Sequence, residues 1–515
     1  MKAQDYKISS EKFVFCSDNY NLHDTKLETK PITYFRDAFN RFCRNKASIV
    51  ASIIIAILVL FAIIAPMLSP YEVADEDKRY AFARPKNQIF YDLGIPFWDG
   101  GANKEVNQLT YDLYRAIEIE TGRTVIMSEP TLKEEIYMGK TSTLYSFRLD
   151  TYNSVGVEYV LLSEEEYKAL QAYQDEKGIQ VIMPITDPDL RPEAEQDEKN
   201  ANIWFKTKKG KGGKTEIVYD KEGGFIPIYQ ANDGKDNYTS TMYWEGDTKQ
   251  YNYAEEMSGN MWKIRVDYRE YYIYKHYLKG DKITEPSFLF GANDYGKDIF
   301  TCLASGARFS FILAVIVSSV NLFVGAIYGS IEGYYGGKID IMMERFVELI
   351  GSIPFMIVIT LLKYHFNASH VLILFISFFL TGWTGMAGRT RMQFYRFKNQ
   401  EYVLVARTLG ANDSRIMFKH IFPNAIGTLI TGSVLVIPGV IFSETSLSYL
   451  GIINLNTGNM TSVGTLLSTG QNFLFTYPHM ILFPAVFISL LMLSFNLFGN
   501  GLRDAFNPSL RGTEE

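Results

Sequence analysis

Side chains that could carry out catalysis are few and scattered in this sequence. Six histidines and three cysteines occur among 515 residues, without the spacing of a metal site. Neither the His-Glu-x-x-His pattern of zinc proteases nor the Gly-x-Ser-x-Gly turn of serine hydrolases is present. The stretch KGKGGKT at 209–215 ends like a phosphate-binding loop, but lysine stands at position 208, where the first glycine belongs. We expect a chain that is not an enzyme, binds no cofactor or metal, and leaves any ATP hydrolysis to another subunit.

A charged, helix-prone segment at 401–426, EYVLVARTLGANDSRIMFKHIFPNAI, lies between two long apolar stretches. Its first part, 401–409, contains good helix formers and stops at Gly410, a residue suited to the left-handed turn that ends many helices. The segment is too charged to cross a membrane. We therefore predict that it forms helices at the membrane surface.

The second half of this segment predicts another short helix. Asn412 or Asp413 can cap its start, the helix runs through His420, and Pro423 marks the exit into the next apolar stretch. Residues three and four apart share a helix face, which groups Ile416 with His420 and Arg415 with Lys419. Such a helix could carry force between a cytoplasmic partner and the membrane, or it could simply bind anionic lipid at the interface.

Three residues of the following apolar stretch are candidates for gating. Glu444 is the only acidic residue between Ala425 and Tyr477. Because a carboxylate in lipid is costly, it should face the helix bundle or water, where a role in gating or the substrate path is reasonable. The alternative is a solvated position near the outer end of the helix. The adjacent Pro438 and Gly439 predict a kink in the same span.

Six stretches are long and apolar enough to cross a bilayer, whose core needs about 20 helical residues. We predict transmembrane helices near 47–68, 309–330, 344–363, 371–388, 425–450 and 478–498. Core helices of a soluble protein would not be apolar on every face over such lengths. The predicted fold class is an α-helical polytopic membrane protein with six spans.

Basic residues in the short flanks predict the orientation. Lysine and arginine are dense before the first span and between the fourth and fifth, whereas 451–477 carries no charge. Basic flanks stay on the cytoplasmic side. We predict a multi-pass plasma-membrane protein whose segment 1–46, loop 400–424 and C-terminus are cytoplasmic. Arg308, just before the predicted second span, should then anchor at the outer headgroups.

The long segment between the first two spans has a different composition. Residues 71–290 contain 39 acidic and 28 basic residues, a net charge of −11, whereas the remainder of the chain carries +5. Alternating stretches such as TSTLYSFRL and VEYVLL predict strands, and SEEEYKALQAYQDEKG predicts a helix with a capping box and a glycine stop. MWKIRVDYREYYIYKHYL suggests a late pair of strands. We predict an extracellular α+β domain over 71–285.

Five motifs in one order resemble those of ABC importer permeases. They are CRNKASIVASIIIAILVLFAIIAPMLSPY (43–71), FLFGANDYGKDIFTCLASGARFS (288–310), GYYGGKIDIMMERFVELIGSIP (333–354), IFSETSLSYLG (441–451) and FNLFGNGLRDAFNP (495–508). The segment 401–424 resembles the signature loop of the same family, and the whole is most similar to the C-type permease of oligopeptide and dipeptide importers. The resemblance implies a type I permease core over 288–510, with 400–424 as the loop that couples to the ATPases.

The resemblance also implies partners. They are a B-type permease that forms the other half of the path, two ATP-binding subunits that hold ATP and Mg²⁺, an extracellular peptide-binding lipoprotein, the peptide substrate and membrane lipid. No nucleic acid is expected. It assigns ATPase coupling to Glu401, Ala406, Gly410, Ala411, Asp413, Arg415, Ile416, His420 and Pro423.

The sequence departs from the family pattern in two places. The signature Glu-Ala-Ala falls on Leu404, Val405 and Ala406, so the glutamate is absent and Glu401 offers the nearby carboxylate. In addition, about 220 residues follow the first span where the family has a few tens. An ABC permease for nickel, dipeptide or another small cargo is an alternative. A membrane receptor or mechanotransmission protein with a large extracellular domain is another alternative. A receptor would not explain the segment 401–424, and mechanotransmission proteins do not match the five motifs.

Overall fold

The computed structural model describes residues 34–506, apart from 97, 138–139, 188, 191–199, 211–214, 233–250, 282 and 457. Most of the predicted N-terminal segment 1–46 therefore lies outside the described residues. The described helices are α1 (Tyr34–Arg44), α2 (Lys46–Leu68), α3 (Gln88–Asp92), α4 (Gln108–Thr121), α5 (Glu164–Lys177), α6 (Tyr268–Lys279), α7 (Ile299–Tyr335), α8 (Gly337–Gly351), α9 (Phe355–His365), α10 (His370–Phe397), α11 (Glu401–Thr408), α12 (Asp413–Arg415), α13 (Phe422–Val434), α14 (Val436–Tyr449), α15 (Val463–Gln471) and α16 (His479–Phe506).

Helices that could span a membrane occur at five of the six predicted places. They are α2, α7, α10, the run from α12 to α14, and α16. The third predicted span, 344–363, is instead a pair of helices, α8 and α9, bent by 69°. Pro354 explains the break, because its ring disfavours a helical conformation at Ile353 and it has no N–H to donate. Within the described residues, the bundle therefore has five candidate spans, or six if the bent pair counts as one.

The second span starts earlier than the apolar stretch indicated. Asp298 caps α7, because its carboxylate accepts the N–H groups of Phe300 and Thr301 at 3.3 and 2.9 Å. The helix therefore begins at Ile299, ten residues before the predicted boundary. Arg308, expected to precede the span, lies inside the helix and is exposed.

Helices α7 and α10 pack with their backbones close together. Gly325, Gly329 and Gly333, spaced four residues apart, line the face of α7 that meets α10. A Cβ atom at Gly329 would lie 2.1 Å from the carbonyl oxygen of Ala387. Small residues allow this approach, which is a common way of joining helices in membranes.

The inserted segment, residues 71–290, contains helices and antiparallel strands. Its described strands are β1 (Gly101–Asn107), β2 (Thr131–Tyr137), β3 (Lys140–Asp150), β4 (Val157–Ser163), β5 (Ile182–Met183), β6 (Thr207–Lys209), β7 (Thr215–Ile217), β8 (Ala254–Met257) and β9 (Met261–Asp267). One sheet has the order β1-β3-β2, a second has the order β4-β9-β5 with β8 also paired to β9, and β6 pairs with β7. The strands predicted at TSTLYSFRL and VEYVLL are confirmed as β3 and β4.

Local signals explain two helices of the inserted segment. The predicted capping box is present, with Ser163 and Glu166 bonding each other's backbone N–H, and Gly178 ends α5 at φ 66°. The predicted late strand pair is wrong, since only β9 forms and the chain then turns into α6. Asp267 caps this helix by accepting the N–H of Arg269 at 3.2 Å. Tyr268, Tyr272 and His276, four residues apart, are buried on its inner face.

The insert interface is the contact between the inserted segment and the loop 473–478 with the start of α16. Phe82 stacks on Tyr477 with ring centroids 4.4 Å apart, and Arg84 Nη2 donates to the carbonyl of Thr476 at 2.7 Å. Trp98 donates its indole N–H to the carbonyl of Leu289 and stacks near Phe483. Phe82 has φ 63°, which is uncommon for a bulky residue. The inserted segment is thus packed on the bundle and held there by aromatic side chains.

The two ends of the inserted segment are joined by a charge cluster. Lys86, whose side chain is fully buried, donates to Glu285 Oε1 at 3.2 Å, and Arg269 donates to Glu285 Oε2 at 2.7 Å. Burial alone would raise the pKa of Glu285, but Lys86 and Arg269 together hold that pKa below its ordinary value. The Glu285 carboxylate therefore links the first part of the inserted segment, at Lys86, to its last part, where the chain returns to the bundle.

Candidate functional site: the coupling segment

The coupling segment, residues 400–424, begins with α11 and a tight turn. Gly410 has φ 82°, a left-handed conformation that a residue with a side chain adopts only at a cost. Its N–H bonds the carbonyl of Arg407 at 3.0 Å, and the N–H of Ala411 bonds that of Ala406 at 3.1 Å. These bonds satisfy carbonyls at the end of α11. The predicted glycine stop is confirmed, although the helix itself ends at Thr408.

The second helix of the segment continues directly into the membrane. Asn412 caps α12, because its side chain accepts the N–H of Arg415 at 2.9 Å. A π-helical turn, Ile416–Ile421, then leads into α13 without a gap. Pro423, expected to mark the exit into the next apolar stretch, is the second residue of α13, the helix with which that stretch begins. The wider π turn accommodates its ring and missing N–H, as proline is tolerated in the first turn.

One face of the coupling segment is packed on the helix bundle. Val403 and Ala406 of α11 are buried, as are Ile416, Met417 and Ile421 of the π turn. The cluster that receives most of them includes Tyr334 of α7 and Phe394 of α10. Each buried side chain of this kind contributes about 1.5–3 kcal/mol of transfer free energy. The segment is therefore fixed to the ends of two spanning helices.

A polar contact sets the position of the turn between α11 and α12. The hydroxyl of Tyr334 donates to Asp413 Oδ1 at 2.6 Å, and the Arg407 guanidinium lies 3.5 Å from the same hydroxyl. Lys398 also donates to the carbonyl of Gly333 at 2.9 Å. Tyr334 and Lys398 were not among the predicted site residues. Tyr334 belongs to the GYYGG stretch at 333–337, which resembles the family pattern and is the sequence signal for this contact.

The opposite face of the coupling segment is exposed and partly apolar. Leu409 is 81% exposed and Val405 is 56% exposed. Glu401, Arg415 and Lys419 are exposed beside them, whereas His420 is half-buried and its carbonyl accepts the Asn424 amide. The predicted residues thus lie in one segment but on two faces of it. Ala406 and Ile416 hold the segment to the bundle, and Glu401 and Arg415 face outward.

Glu444 is buried between helices. Its side chain is fully buried, and its carboxylate accepts the hydroxyls of Ser310 on α7 at 2.8 Å and of Ser448 at 3.0 Å. The solvated alternative is therefore wrong, and the carboxylate faces the bundle. Buried polar groups of this kind join helices when they are fully bonded.

The predicted kink corresponds to a local interruption of the helix at Leu435, between α13 and α14, within a run that still forms one candidate span. Pro438 accounts for it, because it cannot donate to the carbonyl of Val434 four residues earlier. Gly439 follows within α14, with no atom near its missing Cβ. Among the described residues, no group of three or more His, Cys, Asp or Glu side chains could hold a metal ion.

Two family models match this chain. Residues 33–85 match the N-terminal TM domain of oligopeptide transport permease C, and residues 321–512 match the binding-protein-dependent transport system inner membrane component. Both matches lie outside most of the inserted segment.

Curated relatives share the same parts of the chain. The oligopeptide transport system permease protein OppC of Bacillus subtilis is 41% identical over 234 residues, which is 45% of this chain and 76% of the relative. The dipeptide transport system permease protein DppC of the same organism is 38% identical over 223 residues, 43% of this chain and 69% of the relative. Among solved structures, the inward-facing MetNI methionine ABC transporter aligns with a TM-score of 0.33 at 13% identity, covering 40% of this chain and 96% of that one. The chain belongs to the binding-protein-dependent inner-membrane permeases, in their oligopeptide and dipeptide C-type group.

Proposed function

We propose that this chain forms half of the membrane path of an ABC importer for oligopeptides and receives the force of ATP binding through the coupling segment. A B-type permease completes the path, two ATP-binding subunits hold ATP and Mg²⁺, and an extracellular lipoprotein delivers the peptide. The peptide cargo is supported by the names of the relatives, which are oligopeptide and dipeptide permeases. These relatives do not favour a nickel permease or a receptor role.

One observation carries the coupling role. The coupling segment is held to the bundle on one face, offers Val405 and Leu409 to solvent on the other, and continues through α12, the π turn and α13 into the membrane. An exposed apolar surface rimmed by charge fits a protein partner. A displacement of this face would pass through the hydrogen-bonded turn at Gly410 to α12, which runs through the π turn into α13 without a gap.

The orientation follows from the same role. If ATPases bind the coupling segment, that segment is cytoplasmic, and so are α1 and the end of α16, whereas residues 71–290 are extracellular. The basic flanks of the spans support this arrangement. Linkage then requires that whatever favours the closed ATPase pair favours the outward-facing permease by the same free energy.

Co-purification tests the proposal. The full chain, extracted in mild detergent, should carry two ATP-binding subunits and a second permease, and the reconstituted complex should hydrolyse ATP faster when the loaded binding protein is added. A chain that purifies alone and confers no peptide uptake would contradict the proposal. Competition by dipeptides, longer peptides and nickel in the uptake assay separates the possible cargoes.

A further inference from the structure

A cavity of about 320 Å³ lies between α10, α13 and α16, lined by the last turns of α10 and α16 and by the second half of α13. Three arginines line it, Arg389 and Arg396 of α10 and Arg503 of α16, together with the hydroxyl side chain of Thr428. No acidic side chain is among its lining residues. The cavity is separate from the insert interface and from the exposed face of the coupling segment.

A neighbouring arginine has acidic partners, which the three arginines of the cavity lack among the described residues. Arg391, also on α10, bonds Asp340 at 2.6 and 3.0 Å and has Glu332 at 3.3 Å. Within the part of the chain that the structure describes, Arg389, Arg396 and Arg503 have no such ion pair. All three arginines are exposed, so solvent screens part of the repulsion among the three charges, and a bound anion would remove the rest.

The position of Arg389 depends on a glycine. Its Nη1 atom donates to the carbonyl of Gly432 at 3.0 Å, and a Cβ atom at Gly432 would lie 2.7 Å from that nitrogen. The guanidinium therefore crosses the surface of α13 where only glycine leaves room. This contact occupies one nitrogen of the guanidinium and leaves the rest of its donor fork available.

We propose that the arginine cavity, lined by Arg389, Arg396 and Arg503, binds a phosphate group. Arginine forks match the oxygens of phosphate with two parallel hydrogen bonds, and basic cavities between helices at the cytoplasmic membrane surface suit phospholipid headgroups. The phosphate belongs either to an anionic phospholipid or to a soluble anion. Both sources use the same donors, and the experiment separates them.

Native mass spectrometry of the full chain in neutral detergent, with phosphatidylglycerol or phosphatidylcholine titrated in, tests the lipid source. The native chain should bind its first phosphatidylglycerol at least ten-fold more tightly than phosphatidylcholine. Replacing all three arginines (R389Q, R396Q, R503Q) should abolish this preference. R345Q is the matched control, because Arg345 is an exposed arginine already paired with Glu348, and it should keep the preference.

Equilibrium dialysis with radiolabelled orthophosphate tests the soluble source on the same proteins. Phosphate binding that the triple variant loses, without lipid preference, supports the site and assigns it to a soluble anion. G432A keeps every charge but displaces Arg389. It should therefore weaken the affinity for the phosphatidylglycerol or the orthophosphate by three-fold or more. If the triple variant fails to insert, G432A alone tests the proposal. Equal binding of both ligands by the native chain and G432A would overturn the proposal. None of these readouts depends on transport.

Discussion

At one end of the bundle the coupling segment buries Val403 and Ile416 and leaves Val405 and Leu409 in solvent. At the other end, the insert interface turns Phe82 toward Tyr477 and Trp98 toward Phe483. Both contacts hold a peripheral element against spanning helices. The coupling segment has a second apolar face that is exposed, whereas the aromatic side chains of the insert interface are used in the contact itself. The proposed partner surface therefore differs from the insert interface in leaving apolar side chains exposed.

The largest effect is expected from Gly410→Val. A β-branched residue at φ 82° is strained by about 1–2 kcal/mol or more, and the turn that positions α12 against α11 should open. Peptide-stimulated ATP hydrolysis should fall roughly ten-fold or more with membrane insertion intact, since a strain of about 1.4 kcal/mol already shifts an equilibrium ten-fold.

Gly451→Val provides the matched control for this change. Gly451 also has a left-handed conformation, φ 71°, with open space around it, but it follows α14 at the opposite end of the span. This variant should retain coupled hydrolysis. Equal losses in the two variants would mean that backbone strain in general, and not the coupling segment, is responsible.

Removal of residues 85–280 should have the next largest effect. The deletion takes away Trp98 and Lys86 but leaves Phe82, Arg84 and all spanning helices. The complex should still assemble, because the bundle has its own core, while uptake at low peptide concentration falls severalfold. Uptake and subunit composition of the purified complex check this. Loss of assembly would show that the inserted segment is needed to build the bundle.

Phe82→Ala should have a smaller effect on the same interface. It removes the stack on Tyr477 and the contact with Phe473, about 0.5–1.5 kcal/mol beyond the lost burial. Amide hydrogen exchange in 473–483 should rise while ATPase binding stays unchanged. Phe475→Ala is the control, because Phe475 lies in the same loop and is 98% exposed; equal exchange in both variants would refute the closed interface.

Glu285→Gln should have the smallest effect, and it should depend on pH. The low pKa of Glu285 means that its pairs with Lys86 and Arg269 add stability above the unfolded carboxyl pKa of about 4.3 and lose it as pH falls through the lower folded pKa. The variant should melt a few degrees lower at pH 7, and the difference should shrink below about pH 4. Thermal unfolding followed at both pH values checks this. A difference independent of pH would exclude the ion pairs as its cause.

Local signals in the sequence predicted the ends of several elements. Gly410, the capping box of Ser163 and Glu166, and the helix interruption before Pro438 each depend on residues within one helical turn. A short stretch of sequence is therefore enough to predict them. Pro354 is also a local signal for the bend before Phe355. The continuous apolar stretch at 344–363 nevertheless favoured a single straight span. Aromatic residues in 268–277 favoured strands by propensity, but the cap at Asp267 and burial of one helical face decided for α6.

Local signals of this kind do not predict contacts between distant parts of the chain. Tyr334 meets Asp413 from 79 residues away, and Arg84 meets Thr476 from 392 residues away. The burial of Glu444 depends likewise on Ser310 of another helix. The hydrophobic pattern shows that helices form, but it does not specify which faces meet. The family resemblance indicated the coupling segment, and the structure adds the side chains that hold it.

The glycine face of α7 has a consequence for which parts of the bundle can move. Where backbone lies on backbone, as at Gly329 and Ala387, no side chain can change rotamer to absorb a sliding motion, so α7 and α10 form one fixed frame. If the permease alternates between two shapes as proposed, we expect the motion at the joints, at Leu435 and between Gly351 and Phe355. A probe pair across α7 and α10 should report a constant distance through the transport cycle, while one across Leu435 should not.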